Sequence, residues 1–135
     1  YHQKIGKILW DNCGMLREKD ALIEAKVEIQ KLEKDFWQKI SVSGSSEDMN
    51  QTLERAGRVA DFIELGLLMC EDAINRDESC GTHARTEYLN DQGDVVRDDN
   101  SFAYVAAWEN SSDGFVLHKE QLNFDFVQPS VRSYK

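Results

Sequence analysis

Met49-Asn50-Gln51-Thr52-Leu53-Glu54-Arg55-Ala56-Gly57-Arg58-Val59-Ala60-Asp61-Phe62-Ile63-Glu64-Leu65-Gly66-Leu67-Leu68-Met69-Cys70-Glu71-Asp72-Ala73-Ile74 is the stretch that decides the fold. Met49, Leu53, Ala56, Ala60, Ile63, Leu67, Cys70 and Ile74 recur in steps that alternate four and three. That spacing places them on one face of a helix and predicts a bundle seam. A second stripe, Val59, Phe62, Gly66, Met69 and Ala73, adjoins the first. One apolar stripe suffices for a helix in an isolated three-helix bundle, so two predict an additional neighbour. That neighbour is either the chain's own C-terminal part or another domain. Ser45, followed three residues later by Asp48, predicts a capping box ahead of this helix.

Upstream, Tyr1, Ile5, Ile8, Leu9 and Cys13 share a face and predict a helix over Tyr1–Cys13, with Gly14 as a left-handed cap. Leu22, Ala25, Ile29, Leu32 and Phe36 step by three and four and predict a second helix from Lys19 or Asp20 to Ile40. Trp10 and Trp37 are expected to pack within the bundle. Ser41 to Ser46 reads as a polar linker.

Downstream the periodicity changes. Residues 77–100 hold few apolar positions, and Asn90-Asp91-Gln92-Gly93-Asp94 is a turn cluster. Phe102, Tyr104, Ala106 and Trp108 alternate as a strand does. Asn110 to Gly114 reads as a loop, and Leu122, Phe124 and Phe126 alternate with Asn123 and Asp125 as a second strand. The two runs predict an antiparallel hairpin, with His118 on a strand surface. The expected fold is therefore mainly α. A three-helix up-and-down, spectrin-repeat-like bundle over residues 1–77 is followed by a connecting loop over 78–100 and a β-hairpin with an extended tail over 101–135.

A length of 135 residues suits one domain, and 41% hydrophobic with 30% charged residues is a globular balance. The net charge is −9, and the basic residues are interspersed with acids. Nucleic acid and anionic membrane surfaces would repel such a chain. No apolar run approaches the roughly 20 residues that span a bilayer, so direct membrane insertion is not expected. Cys13, Cys70 and Cys80 are odd in number and form no C-x-x-C pair, which predicts a reducing compartment and cysteines that act as small apolar residues. The chain starts at Tyr1 and already reads as helix there, so it is expected to be a piece of a longer protein.

Chemistry is hard to find. The sequence has no G-x-G-x-x-G, no Walker loop and no G-x-S-x-G elbow. His2, His83 and His118 are too scattered for an H-E-x-x-H site, and no metal-ligating set is expected. Two segments concentrate polar groups: Glu78-Ser79-Cys80-Gly81-Thr82-His83-Ala84-Arg85 and Arg97-Asp98-Asp99-Asn100. One reading makes them a docking loop, in which Arg85 or Arg97 clamps a carboxylate. The other makes them a connector held by turn hydrogen bonds and an Arg–Asp pair. The candidate docking residues are His83, Arg85, Arg97 and Asp98, with Phe62 and Met69 from the second stripe.

These two segments, with the closing Arg132-Ser133-Tyr134, resemble the C-terminal domain of the flavoprotein subunit of succinate dehydrogenase and fumarate reductase. Ile8-Leu9-Trp10-Asp11-Asn12-Cys13-Gly14-Met15 is similar to that family's first helix in this domain. Leu65 to Cys70 and Phe102 to Glu109 resemble its bacterial members. The resemblance covers nearly the whole chain in order. It implies a helical bundle with a β-containing tail, inside a parent that binds FAD and interconverts succinate and fumarate. It also implies three partners: the FAD-binding domain of the same subunit, an iron–sulfur subunit and, indirectly, a membrane anchor. The location it implies is cytoplasmic, peripheral on the inner membrane face. The family's catalytic and flavin-binding residues lie upstream, so no catalytic or cofactor-binding residue is carried over, and the chain alone is expected to be inactive. The chain departs from the pattern at Cys80, where many relatives have arginine, and at Asn90 to Asp94, which looks like an insertion. The alternative expectation is a stand-alone acidic helical adaptor that binds a protein partner through the second stripe.

Overall fold

The computed structural model describes residues 1–45 and 47–130. The closing Arg132-Ser133-Tyr134 of the resemblance lies outside them, as do the last residues of the expected tail. Helix α1 spans His2–Asn12, α2 spans Lys19–Lys39 and α3 spans Gln51–Asn75. Leu22, Ala25, Ile29, Leu32 and Phe36, the heptad positions of α2, are all buried. They meet Ile5 and Cys13 from the first helical segment and Ile63, Leu67, Cys70 and Ala73 from α3 in one core. Burying each of the larger aliphatic chains contributes about 1.5–3 kcal/mol.

Gly66 fixes how closely α1 approaches α3. A Cβ there would sit 3.1 Å from Ile5 Cδ1 and 3.2 Å from Leu9 Cδ1. The second stripe therefore splits: Gly66 and Ala73 are buried, whereas Phe62 and Met69 are exposed.

The start of the seam helix differs from expectation in two ways. Asn50, not Ser45 with Asp48, caps α3, and its Oδ1 accepts the N–H groups of Thr52 and Leu53 at 3.1 Å each. Asn50 immediately precedes the first turn and is an equally good cap. Its Nδ2 donates back to the Ser43 carbonyl at 3.1 Å, and Gly44 at φ +125° lets the backbone pass, where a Cβ would lie 2.4 Å from that side chain. The start of the seam stays in solvent: Met49 is 91% exposed and Leu53 60%. The helix has 25 residues and α1 only 11, which is roughly 37 Å against 16 Å, so α1 cannot cover the whole of it.

Gly14 is not a left-handed cap. Helix α1 ends with the Cys13 N–H on the Leu9 carbonyl, and Gly14 keeps negative φ. Its value is space, since a Cβ would meet the Trp10 carbonyl at 3.0 Å. Trp10 and Trp37 are largely exposed rather than packed in the core, although Trp37 lies edge-on to Phe36 at 5.2 Å.

The connecting segment is more structured than a loop. Strand β1, Leu16–Arg17, pairs in parallel with β2, Ala84–Arg85. A 3-10 turn covers Thr86–Tyr88 and a short helix, α4, covers Asp99–Phe102. The turn cluster forms as expected, with Asn90 Oδ1 accepting from the Gln92 and Asp94 N–H groups at 2.9 and 2.8 Å.

A hairpin follows. Strand β3, Tyr104–Ser111, pairs antiparallel with β4, Gly114–Gln121, with Trp108 opposite Leu117. The first strand meets its prediction in part: Tyr104, Ala106 and Trp108 turn inward, but Phe102 belongs to α4, and Asn110 and Ser111, expected in the loop, extend the strand. The second does not: the partner is Gly114–Gln121, while Leu122, Phe124 and Phe126 lie beyond it and are exposed. Ser111 faces Gly114 across a two-residue turn, and Gly114 at φ +112° accepts a backbone that side chains resist. The tight turn sets the register and selects Phe115 and Leu117 as the inward residues. The hairpin is tied to α3 by the Trp108 indole N–H on Asp72 at 2.7 Å, by Asn110 on Glu64, and by Phe115 against the core. His118 lies on the strand surface, paired with Glu109 at 2.8 Å. Among the described residues no helix is long and apolar enough to cross a membrane.

Candidate docking surface

The polar segment after α3 is built around Arg85. Only 1% of this side chain is exposed, although it sits next to charged groups. Its Nη1 donates to the Ala73 carbonyl at 3.0 Å, while Nε and Nη2 form a fork on the two Glu87 oxygens at 3.1 Å each. Asp77 Oδ1 lies 3.6 Å from the same guanidinium. The planar fork of arginine suits this geometry and lysine does not. The Arg85 guanidinium holds Glu87 down to a pKa of about 2.

Ser79 locks the backbone behind this fork. Fully buried, its hydroxyl donates to the Arg85 carbonyl at 3.1 Å and accepts the Arg85 N–H at 2.8 Å. Gly81 at φ +60° reverses the chain, so that Cys80 and His83 exchange backbone hydrogen bonds at 2.8 and 3.1 Å. Strand β2 can then lie beside β1, with the Ala84 N–H on the Met15 carbonyl at 3.2 Å.

His83 uses both ring nitrogens inside the chain. Nε2 meets the Arg76 carbonyl at 2.9 Å and Nδ1 meets Arg17 Nη1 at 2.7 Å. A carbonyl only accepts and a guanidinium only donates, so the ring is neutral with its proton on Nε2. Burial and the neighbouring Arg17, Arg85 and Arg76 charges hold its pKa below the ordinary value.

The two polar segments meet through Glu78. This buried carboxylate accepts from Arg76 at 2.5 Å and from the Asp98 N–H at 2.9 Å. Asp98 in turn caps α4 by accepting the Ser101 N–H at 3.2 Å. Arg76 also lies over the Phe102 and Tyr104 rings at 5.8 and 5.4 Å, which links the loop to the hairpin. Arg97 is nearer the surface, paired with Asp99 at 2.5 Å and donating to the Ser130 carbonyl at 3.3 Å.

The polar sequence candidates His83, Arg85 and Asp98 thus belong to one connected network, and Arg97 flanks it. Phe62 and Met69 lie elsewhere, on the outer face of α3, where Leu65 joins them at helical spacing. The exposed Leu16 and the partner Glu87 were not singled out in the sequence, and Glu78 and Ser79 stood in the first polar segment without a role of their own. Buried Ser and Glu carry no periodic signal, since only their hydrogen bonds reveal them.

A flavin cradle is usually a glycine-rich turn between a strand and a helix N-terminus. Gly81 leads instead into a two-residue strand, and Gly114 opens a hairpin strand. Neither glycine sits in a strand-to-helix turn. Among the described residues there is no cluster of three His, Cys, Asp or Glu that could hold a metal.

The fold and the network define a helical domain with an appended hairpin, whose polar loop is shaped from within. Residues 2–134 match the family described as "Fumarate reductase flavoprotein C-term", and the chain belongs to that family. It is 22% identical over 133 residues to the succinate dehydrogenase flavoprotein subunit of Bacillus subtilis, covering 98% of this chain and 22% of that protein. It is 24% identical over 132 residues to the fumarate reductase flavoprotein subunit of Haemophilus influenzae, covering 97% of this chain and 21% of that protein. The chain therefore spans about a fifth of the length of these relatives. A mutant FrdA of E. coli quinol fumarate reductase shares the fold, with a TM-score of 0.80 and 22% identity over 96% of this chain and 22% of that one. A quinol–fumarate reductase solved with menaquinol molecules does so as well, at TM-score 0.78 and 22% identity, over 95% of this chain and 22% of the other.

Proposed function

We propose that this chain is the C-terminal helical domain of a flavoprotein subunit that interconverts succinate and fumarate, and that it acts as a buttress rather than as a centre of chemistry. The single observation that carries the reading is the family match over residues 2–134. On this reading FAD is bound by the parent subunit outside this stretch. The three long helices form the up-and-down bundle, and the shared core and the close approach at Gly66 support that arrangement.

Two surfaces serve docking. Phe62, Leu65 and Met69 form an apolar stripe on α3 for the FAD-binding domain. The loop from Cys80 to His83, with Arg97 and Asp98 beside it, offers polar contacts to that domain or to an iron–sulfur subunit that accepts the electrons. Arg85 and His83 take part indirectly: their polar groups are used within the chain, so they hold the loop's shape. A membrane anchor is reached only through the other subunits, which would put the assembled complex on the cytoplasmic face of the inner membrane. The chain alone is inactive.

Co-expression with the upstream flavin-binding part of the parent tests this. Dye-linked succinate oxidation that needs both pieces supports a buttress. Equal activity from the upstream part alone refutes it.

A further inference from the structure

Cys13 closes α1 and Cys70 lies in α3, and both are in the core. Cys13 is 4% exposed and Cys70 fully buried. Cys13 Sγ lies 3.9 Å from the carbonyl of Met69, the residue preceding Cys70, and both cysteines belong to the same buried core. Cys13 nevertheless has an outlet. It lines a surface recess of about 300 Å³ together with Trp10, Gly14, Met15, Arg17 and Thr82. Arg17 is anchored there by its Nε on the Gly14 carbonyl at 2.7 Å and by Nη1 on His83. A cation therefore lines the recess whose wall carries one thiol, and the carbonyl that this thiol meets belongs to the residue next to the second cysteine.

We infer that Cys13 and Cys70 are a peroxide-responsive thiol pair, in which Cys13 reacts from the recess and Cys70 resolves it into a disulfide joining the end of α1 to α3. The Cys70 hydrogen bond and the Arg17 charge bring the Cys13 thiol down to about 7 against burial and the Asp72 charge. The Cys13 hydrogen bond and burial push Cys70 up, so Cys13 is the thiolate of the two. In the first step the Cys13 thiolate attacks one oxygen of hydrogen peroxide. The O–O bond breaks, a sulfenic acid forms, and the departing hydroxide takes a proton to become water. In the second step the Cys70 sulfur attacks the Cys13 sulfur. An S–S bond replaces the S–O bond, and the hydroxyl leaves as water with the Cys70 proton. Two thiols lose two electrons in total and one peroxide is reduced to two waters.

Cys80 is an internal control, because it is exposed on the loop outside the core. The test treats the folded full-length protein with hydrogen peroxide, blocks free thiols with N-ethylmaleimide under denaturing conditions, and maps unreduced peptides by mass. The expected product joins the Cys13 and Cys70 peptides and is lost on reduction with dithiothreitol. In Cys70→Ser the same treatment, with dimedone present, is expected to label Cys13 as a trapped sulfenic acid. Recovery of Cys13 and Cys70 as maleimide adducts while Cys80 is oxidised overturns the inference, as does a disulfide that joins Cys80 to either of them. The mapping of the unmutated protein decides the question even if the variant does not fold.

Discussion

Replacing Arg85 by methionine tests whether the loop is shaped from within. Methionine keeps most of the apolar stem, so the cavity left behind is small. What is lost is the guanidinium, and with it the partner of the Ala73 carbonyl, both contacts to Glu87 and the charge beside Asp77. An acceptor left buried without a partner costs about 1–3 kcal/mol. Breaking a fully buried ion pair costs about 3–5 kcal/mol, but the Glu87 side chain is 36% exposed and recovers much of its hydration from solvent. The expected loss is therefore about 2–4 kcal/mol, read by urea unfolding followed by circular dichroism at neutral pH. Arg85→Lys restores the charge without the fork and should recover less than half of that loss. Ser79→Ala strips the partner from both backbone groups of Arg85 and should cost about 2–3 kcal/mol. Because Ser79 and Arg85 hold the same loop, the double variant should lose clearly less than the sum of the singles. An Arg85→Met protein that unfolds within about 0.5 kcal/mol of the parent, the range of ordinary surface changes, would refute the reasoning.

Other expectations follow from single contacts. Asn50→Ala removes the cap of α3 and should destabilise by about 1 kcal/mol, whereas Asp48→Ala should fall within the surface range on the same unfolding curve. Trp108→Phe keeps a six-membered ring and deletes the five-membered ring with the N–H held by Asp72, which should cost about 1.5–3 kcal/mol, with hydrogen exchange rising first in the hairpin. Acid should act in two stages. His83 has a folded pKa below its ordinary 6.5, so its contribution is complete above that value and fades as pH falls beneath it. Glu87 has its folded pKa lowered from 4.5 to about 2, so its contribution is complete above 4.5 and is lost as pH falls towards 2. In unfolding series across pH, the Glu87→Gln protein should lack the lower stage and keep the upper one.

Much of this fold could be read before any coordinates. Every heptad residue of α2 is buried, because a regular three–four spacing leaves a helix only one face to offer. The same reasoning overreached at the start of α3. Periodicity reports which residues share a face, not how long the neighbouring helix is, so Met49 and Leu53 continue the seam where it is largely open to solvent. The hairpin failed for a related reason. Two apolar alternations, Phe115 with Leu117 and Leu122 with Phe124 and Phe126, compete for one partner strand. The nearer wins because a two-residue turn closed by Gly114 costs less chain entropy than a longer loop.

The site was legible in its residue types and illegible in its connections. Glu78 to Arg85 and Arg97 to Asn100 were visible as dense polar segments, and they do converge, on Glu78. Direction was not visible, since sequence spacing cannot say whether an arginine faces a partner or its own carboxylates. Arg85 turns inward and Arg97 sits near the surface, although both stand beside acids. The difference has a physical origin: Arg85 lies on a strand paired to the segment after α1, beneath which the end of α3 presents the free carbonyl of Ala73. The second stripe of α3 divides by the same logic. Gly66 and Ala73 are small enough for elements of this chain to close over them, while Phe62 and Met69 are too large to share that side and are left to solvent. Val59 packs against the core as well, so three of the stripe's five residues serve this chain's own packing, and on the proposed function the other two meet the flavin-binding part. A charge placed there separates the two roles: Met69→Glu should leave the unfolding of this chain within about 0.5 kcal/mol of the parent and weaken its association with the flavin-binding part. Equal loss of both would mean that Met69 belongs to the core.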